Sequence, residues 1–101
     1  MNEEPEINVP PNTWRGNVAK EWCDYNGHLN LAYYVVMFDF ATDAFYDSID
    51  QGEDYVLTMN KSWFTVESHV CYLSEVFAGT EVYCTTQLIG YDGKRMHYFH
   101  R

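Results

Sequence analysis

Apolar and polar residues follow two different periods along the chain, and the change of period separates a helical region from strands. Between positions 31 and 49, apolar side chains recur at steps of three and four residues. This spacing is typical of the stripe that an α-helix packs against a sheet. The stripe consists of Leu31, Tyr34, Phe38, Ala41, Phe45 and Ile49. Asn30 is a good N-cap for this helix, and we expect Gly52 to close the helical region.

Strands are predicted on both sides of the helix. Residues 14–22 predict a first strand, and the strict alternation of residues 62–73 predicts a long one. Residues 80–89 are rich in β-branched and aromatic side chains, and Asp92-Gly93 then predicts a two-residue hairpin into a strand over 94–101. A long sheet with one long helix predicts an α+β domain of two layers, in which the helix covers one sheet face.

The length of 101 residues fits one domain preceded by an arm. Residues 1–13 hold all three prolines and three glutamates, which predicts a flexible acidic arm. Residues 14–101 then form the folded domain. The last predicted strand runs to Arg101 without a turn or cap, so we expect the domain to be incomplete at its C-terminus or completed by a partner.

The charge and cysteine content narrow the choice of partner and compartment. The net charge is −9, and residues 1–54 carry eleven acidic side chains against two basic ones. This balance disfavours nucleic acid, because an acidic surface repels phosphates. The chain has three cysteines without C-x-x-C spacing, an acidic N-terminus unlike a signal peptide, and no apolar run of membrane-spanning length. We therefore expect a protein of the reducing cytoplasm without a membrane segment.

Asp24 is the first candidate for chemistry, because it lies in a turn-forming cluster just before the predicted helix. A helix N-terminus exposes unpaired N–H groups that can polarise a carbonyl oxygen. A carboxylate nearby can attack the carbonyl carbon or activate a water molecule. The residues alone leave a second interpretation open, in which Asp24 only forms the turn.

Metal binding and cysteine catalysis have weaker support. His97 and His100 lie three apart on a predicted strand and therefore face opposite ways. The histidines and cysteines show no zinc spacing, so we predict no metal site. Cys71 and Cys84 lie within predicted strands and are better explained as small packing residues.

The heptapeptide Asp24-Tyr25-Asn26-Gly27-His28-Leu29-Asn30, followed by Tyr34 and Phe38-Asp39, resembles the pattern of hotdog-fold thioesterases of the 4-hydroxybenzoyl-CoA thioesterase group. Residues 66–69, 72–73 and 94–97 resemble a bacterial branch that includes betainyl-CoA thioesterases. The resemblance covers residues 14–101 and implies a hotdog fold, an antiparallel sheet wrapped around one long helix. Domains of this family continue past the equivalent of Arg101, which implies that C-terminal sheet strands are lacking here.

The resemblance implies a role for each motif position. Asp24 matches the catalytic carboxylate, as nucleophile or general base. The backbone N–H of Leu31 matches the oxyanion contact, and Gly27 would let the backbone pass close to the acyl group. His28 and Asn30 match positions that shape the turn, and His28 has the alternative of a purely structural histidine.

Substrate contacts are predicted outside the heptapeptide as well. Tyr34 is a candidate for the acyl pocket. Glu67 shares a strand face with His69 and either lines that pocket or pairs with a cation. CoA phosphates are expected to meet cations of the second half, of which Lys94 and Arg95 are the main candidates. The others are Lys61 and Arg101, and ordinary solubilising cations are the alternative for the whole set.

The implied activity is hydrolysis of an acyl-CoA thioester to a carboxylic acid and free CoA, without a further cofactor. In this family the site lies at a dimer interface, so the expected partners are an acyl-CoA and a second copy of the chain in a homodimer or larger oligomer. Two alternatives remain open, a hotdog enoyl-CoA hydratase or dehydratase and a non-catalytic subunit that binds acyl groups. The acyl group itself is not specified by the residues.

Overall fold

The computed structural model describes residues 13–101, in which two helices follow a first strand and precede three more. A single 3₁₀ turn, Lys20–Trp22, follows the first strand. The strands are β1 (Trp14–Asn17), β2 (Glu81–Cys84), β3 (Thr86–Tyr91) and β4 (Met96–His100), and the helices are α1 (Leu31–Ser48) and α2 (Glu53–Met59). Except for Thr13, the predicted arm over residues 1–13 lies outside the described residues. Within residues 13–101, no helix is long and apolar enough to cross a membrane.

All strand pairing is antiparallel, as predicted. β1 pairs with β2, and β3 pairs with β4. Thr85 lies between β2 and β3 and exchanges both backbone hydrogen bonds with Arg101, each at 2.9 Å. β2 and β3 therefore act as one interrupted strand, with β1 along its first half and β4 along its second.

Helix α1 begins at Leu31 with Asn30 as its N-cap, which confirms the predicted start. Its buried side chains are Met37, Ala41 and Phe45. The predicted stripe is right at its centre and wrong at its ends, because Leu31 is 67% exposed and Ile49 is also exposed. The buried side chains follow a spacing of four residues, from Met37 through Ala41 to Phe45. The prediction omitted Met37.

Aromatic contacts fix α1 against β4. The rings of Phe45 and Tyr98 have centroids 5.3 Å apart, and Phe38 stacks on the imidazole of His100 at 5.7 Å. At the other end of the sheet, Trp14 contacts Phe40 at 5.5 Å. Such ring contacts add to the stabilisation from apolar burial. The helix thus covers one face of the strands, as the two-layer prediction requires.

The His100 imidazole joins three elements. Its Nε2 lies 2.9 Å from the Thr42 hydroxyl, and its Nδ1 lies 2.8 Å from the Thr86 hydroxyl. The Thr42 hydroxyl already donates to the Phe38 carbonyl, so it accepts from an Nε2–H, and in a neutral ring the Thr86 hydroxyl then donates to Nδ1. Burial lowers the pKa of His100 and favours the same state.

Three further expectations, which concern elements and their boundaries, are wrong. Residues 62–73 form no strand, because a strand needs a hydrogen-bonding neighbour and none pairs with them among the described residues. The first strand ends at Asn17, since the chain turns into the 3₁₀ segment. Gly52 does not close the helical region but serves as the N-cap of α2, which was not predicted.

The hairpin predicted at Asp92-Gly93 is present, but its connection is longer than two residues. Tyr91 lies opposite Met96, so four residues connect the strands. The Asp92 carboxylate accepts the backbone N–H groups of Lys94 and Arg95 and the Arg95 guanidinium. The Lys94 N–H, followed by the Arg95 contacts, lowers the pKa of Asp92 to about 2. Asp92 therefore organises the turn by accepting from both later residues.

Candidate active site

The turn from Asp24 to His28 is closed by its own backbone. The Asp24 N–H donates to the His28 carbonyl at 2.9 Å, and the Gly27 N–H donates to the Asp24 carbonyl at 2.9 Å. The Asp24 side chain completes the turn, because its Oδ1 accepts the N–H groups of Asn26 at 2.9 Å and His28 at 3.2 Å. Within the described part of the chain, Oδ2 has no hydrogen-bond partner. One carboxylate oxygen therefore holds the turn while the other remains open to solvent.

Gly27 adopts a positive φ of 82°, a conformation that residues with a Cβ rarely occupy. A methyl group placed on its Cα would meet no atom of the described residues within 4 Å. The turn therefore needs glycine for its backbone conformation. Close approach of Gly27 to an acyl group stays a prediction.

The start of α1 presents an available backbone donor next to this turn. The Asn30 side chain accepts the Ala32 N–H at 2.9 Å, and its carbonyl accepts the Tyr33 N–H at 2.9 Å. The Leu31 N–H belongs to the first residue of the helix and has no intrahelical partner. No hydrogen bond to it occurs among residues 13–101. A carbonyl oxygen placed there would meet a free N–H at the positive end of the helix.

Residues 72–77 run alongside the turn and hold it in place. The Leu29 N–H donates to the Val76 carbonyl at 2.7 Å. The His28 Nε2 lies 3.0 Å from a Glu75 carboxylate oxygen, and the His28 ring meets Phe77 edge-on at 5.0 Å. Beneath the turn, Leu29 is buried in a cluster with Val18 and Met37. The turn is therefore attached to the core by Leu29 and to the later segment by His28.

Tyr34, one turn further along α1, also contacts residues 72–77. Its hydroxyl donates to the Ser74 carbonyl at 3.1 Å, and its ring meets Tyr72 edge-on at 5.1 Å. Tyr34 is half-buried, so part of each ring remains accessible beside the turn. The structure thus attaches both the turn that holds Asp24, Gly27 and His28 and the helix start that holds Asn30, Leu31 and Tyr34 to residues 72–77.

The remaining predicted contacts lie apart from this group. Glu67 is exposed, and no described contact joins it to the Asp24 turn. Lys94 and Arg95 lie in the β3–β4 connection, where the Arg95 guanidinium is engaged by Asp92. The roles of Glu67, Lys94 and Arg95 in binding remain predictions.

The alternative chemistries concern the cysteines and a metal ion. Burial raises the pKa of the Cys84 thiol to about 11, which makes its thiolate scarce at neutral pH. Cys71 is exposed, and its Sγ lies 3.5 Å from the His69 imidazole. Within residues 13–101, no group of three or more His, Cys, Asp or Glu side chains is placed to hold a metal ion.

Sequence reasoning missed Glu75, although its carboxylate is the charged group that contacts His28. The contact joins positions far apart in the chain, so no local spacing indicates it. Tyr72 and Ser74 were missed as neighbours of Tyr34 for the same reason. A residue that reaches the site only through a contact between distant positions cannot be recognised from local sequence periodicity.

Comparison with known proteins places the chain in a family. Residues 18–101 match the family model of the thioesterase-like superfamily. A betainyl-CoA thioesterase from Pseudomonas aeruginosa is 42% identical over 88 residues, which cover 87% of this chain and 55% of that protein. An L-carnitine dehydrogenase/betainyl-CoA thioesterase from Ruegeria pomeroyi is 35% identical over 95% of this chain and 20% of its own length.

Two solved structures share the fold. A proposed thioesterase from Pseudomonas putida KT2440 superposes with a TM-score of 0.75 at 40% identity, covering 92% of this chain and 61% of the other. A hypothetical protein from Staphylococcus aureus, solved in complex with CoA, gives a TM-score of 0.84 at 29% identity over 91% of this chain and 58% of the other.

The long helix, the antiparallel strands and the family match together define the class of protein. The chain belongs to the thioesterase-like superfamily and has a hotdog fold, which confirms the predicted family and fold. It spans about half the length of the P. aeruginosa relative and about three fifths of the two solved structures.

Proposed function

We propose that the protein is an acyl-CoA thioesterase with Asp24 as its catalytic carboxylate. The observation that carries the proposal is that the two oxygens of this side chain differ in their hydrogen bonding. Oδ1 accepts two backbone N–H groups and fixes the orientation of the carboxylate, while Oδ2 has no partner among the described residues. Membership of the thioesterase-like superfamily supports the same reaction class.

Two routes use this geometry. In the first, Oδ2 attacks the thioester carbonyl, the CoA thiolate leaves, and water hydrolyses the acyl–aspartyl anhydride that results. In the second, the carboxylate takes a proton from water, the hydroxide attacks the carbonyl, and the proton passes to the leaving thiolate. Both routes produce a carboxylic acid and free CoA. In both, negative charge develops on the carbonyl oxygen, and the free Leu31 N–H would stabilise it. Neither route needs a cofactor beyond the substrate and water.

For the acyl group we propose a small acid with a quaternary ammonium. The relatives at 42% and 35% identity are named for betainyl-CoA. The partly open rings of Tyr34 and Tyr72 lie next to the turn, and aromatic faces attract quaternary ammonium groups. The negative charge of the first half of the chain favours a cationic acyl group as well.

For the CoA phosphates we propose Lys94, since Arg95 is already engaged by Asp92. The net charge of −9 makes a local cation necessary. The KM for an acyl-CoA is expected to rise with salt, and Lys94→Ala is expected to raise KM and reduce this dependence. A salt-independent KM would contradict a role for Lys94 or any other cation.

We also propose that the working form is a homodimer in the cytoplasm. Residues 62–73 form no strand with any described residue, and they expose large apolar side chains. Phe64 is 83% exposed and Leu73 is 91% exposed. Such a segment favours burial against a second copy. Sedimentation is expected to give a dimer at micromolar concentration, and a stable monomer would contradict this. The three free thiols agree with a reducing compartment.

The experiment that tests the function is thiol release from a panel of acyl-CoAs that includes betainyl-CoA, with Asp24→Asn beside the parent. The variant keeps the size of the side chain and removes its charge. Turnover is expected to fall by at least ~10²-fold. KM should change much less, because the charge acts in the transition state. Asp54→Asn, an exposed carboxylate on α2 outside the motif, is the control and should retain full turnover.

The outcomes separate the proposal from its alternatives. Turnover of an enoyl-CoA without thiol release would show a hydratase, and binding without turnover would show an acyl-binding subunit. A destabilised Asp24→Asn protein with full turnover per folded molecule would show that Asp24 only forms the turn.

A further inference from the structure

We propose that Glu75 is a positioning residue of the site, which holds the Asp24 turn through the imidazole of His28; the inference rests on the proposed function. The His28 Nε2 and the Glu75 Oε1 are 3.0 Å apart. The contact is an ion-pair distance, and because a carboxylate has no proton to donate, it is favourable when Nε2 carries a proton. Glu75 therefore holds the edge of the His28 ring that carries Nε2. The Nδ1 atom takes no part in this contact.

Phe77 restrains the same His28 ring by an aromatic contact. Its edge-on contact with His28 has a centroid distance of 5.0 Å and an interplanar angle of 74°. Glu75 thus holds the imidazole by a charged contact at Nε2, and Phe77 restricts its rotation by packing. Both come from the same short segment, which also accepts the Leu29 N–H at the Val76 carbonyl.

The backbone of His28 carries this restraint to Asp24. The His28 N–H donates to Asp24 Oδ1 at 3.2 Å, and the His28 carbonyl accepts the Asp24 N–H at 2.9 Å. Any rotation that moves the His28 backbone therefore alters one of the two hydrogen bonds that orient the carboxylate and the backbone bond that closes the turn. The orientation of the reactive oxygen, Oδ2, depends on Glu75 through its contact with the His28 ring and the hydrogen bond from the His28 N–H to Asp24 Oδ1.

The exposure of the pair indicates that its role is in orientation more than in stability. The His28 side chain is 39% exposed and that of Glu75 is 62% exposed. Ion pairs and hydrogen bonds this open to water contribute little to stability. Small displacements of a reacting group, in contrast, lower rates strongly. Removing Glu75 should therefore reduce turnover without a matching loss of folded protein.

The test is a double-mutant cycle on thiol release with Glu75→Ala, His28→Ala and the double variant. Glu75→Ala is expected to lower kcat about tenfold with KM within about twofold, since a positioning group acts on the reacting geometry. In the His28→Ala background the same change should cost less than about twofold, because its route to Asp24 is gone. Glu75→Gln keeps a carbonyl oxygen that can accept from Nε2–H and should restore most of kcat. Glu81→Ala, an exposed glutamate on β2, is the control.

Three results would overturn the inference: a kcat of Glu75→Ala within about twofold of the parent, losses that multiply in the double variant, or a Glu75→Gln protein as slow as Glu75→Ala. A second readout does not need activity. Nuclear Overhauser cross-peaks between the rings of His28 and Phe77 should be strong in the parent and weak in Glu75→Ala. If no acyl-CoA is hydrolysed, the proposed function fails, and unchanged cross-peaks would reject the Glu75–His28 link separately.

Discussion

Replacing Asn30 by alanine tests whether the start of α1 depends on a side-chain cap. In the parent, the Asn30 Oδ1 accepts the Ala32 N–H at 2.9 Å. Alanine removes this acceptor but keeps the Asn30 carbonyl, to which the Tyr33 N–H donates. The substitution therefore deletes one hydrogen bond of the first helical turn and leaves the next one intact.

The expected loss of stability follows from this single bond. Loss of an N-cap side chain costs about 1 kcal/mol. Ala32 is exposed, so water can reach its N–H and the cost should not exceed that value. For a domain of this size, 1 kcal/mol corresponds to a drop in Tm of about 4–8 °C. With a urea m-value of about 1–3 kcal/mol/M, the midpoint should fall by roughly 0.3–1 M.

Urea unfolding followed by circular dichroism at 222 nm measures the effect, and Asn30→Asp is the matched control. Aspartate keeps an acceptor oxygen at the cap and adds negative charge at the positive end of the helix. Its free energy of unfolding should stay within a few tenths of a kcal/mol of the parent. The reasoning is refuted if Asn30→Ala is as stable as the parent, or if Asn30→Asp is as unstable as Asn30→Ala.

Three further predictions concern the core, the turn and the pH response. Phe45→Ala should lower the free energy of unfolding by about 3–5 kcal/mol in urea titrations, whereas Leu57→Ala, at a position 73% exposed, should change it by less than about 0.5 kcal/mol. Gly27→Ala should cost about 1 kcal/mol in the same assay, because its φ is 82°; no loss would contradict the left-handed turn. Burial lowers the pKa of His100 below 6.5, so the unfolded chain takes up the proton first and stability should fall as pH drops below about 6.5. Calorimetry at about pH 7.5 and 5.5 should show this fall, and His100→Gln should reduce it.

Features that depend on neighbouring residues in the sequence were predictable. The Asn30 cap and the start of α1 follow from a cap residue before an apolar stripe. The β3–β4 hairpin follows from Asp92-Gly93, although the side chain of Asp92 lengthens its connection by accepting from later N–H groups. The turn around Gly27 follows from its cluster of turn-forming residues. All of these depend on backbone preferences and hydrogen bonds within a few positions.

Features that depend on distant partners were not predictable from periodicity. Residues 62–73 have the alternation of a strand, but alternation does not supply a hydrogen-bonding neighbour. Met37 was missed because the predicted apolar stripe passed from Tyr34 to Phe38. The side chains that are buried in the structure instead include Met37, one position earlier. Glu75 was missed because its partner, His28, lies far away along the chain. The motif around Asp24 located the candidate site, but the side chains that hold it required the fold.

The contact between α1 and the segment after residue 71 has a consequence for the order of folding. Tyr34 and Ser74 are joined by a hydrogen bond although 40 positions separate them. Closing a loop of this length costs entropy that only later contacts offset. Helix α1 depends on local bonds and can form early, whereas the surroundings of Asp24 become complete only when residues 72–77 dock. During refolding, helical signal should therefore recover before the proposed thioesterase activity, and the interval between the two measures the docking step.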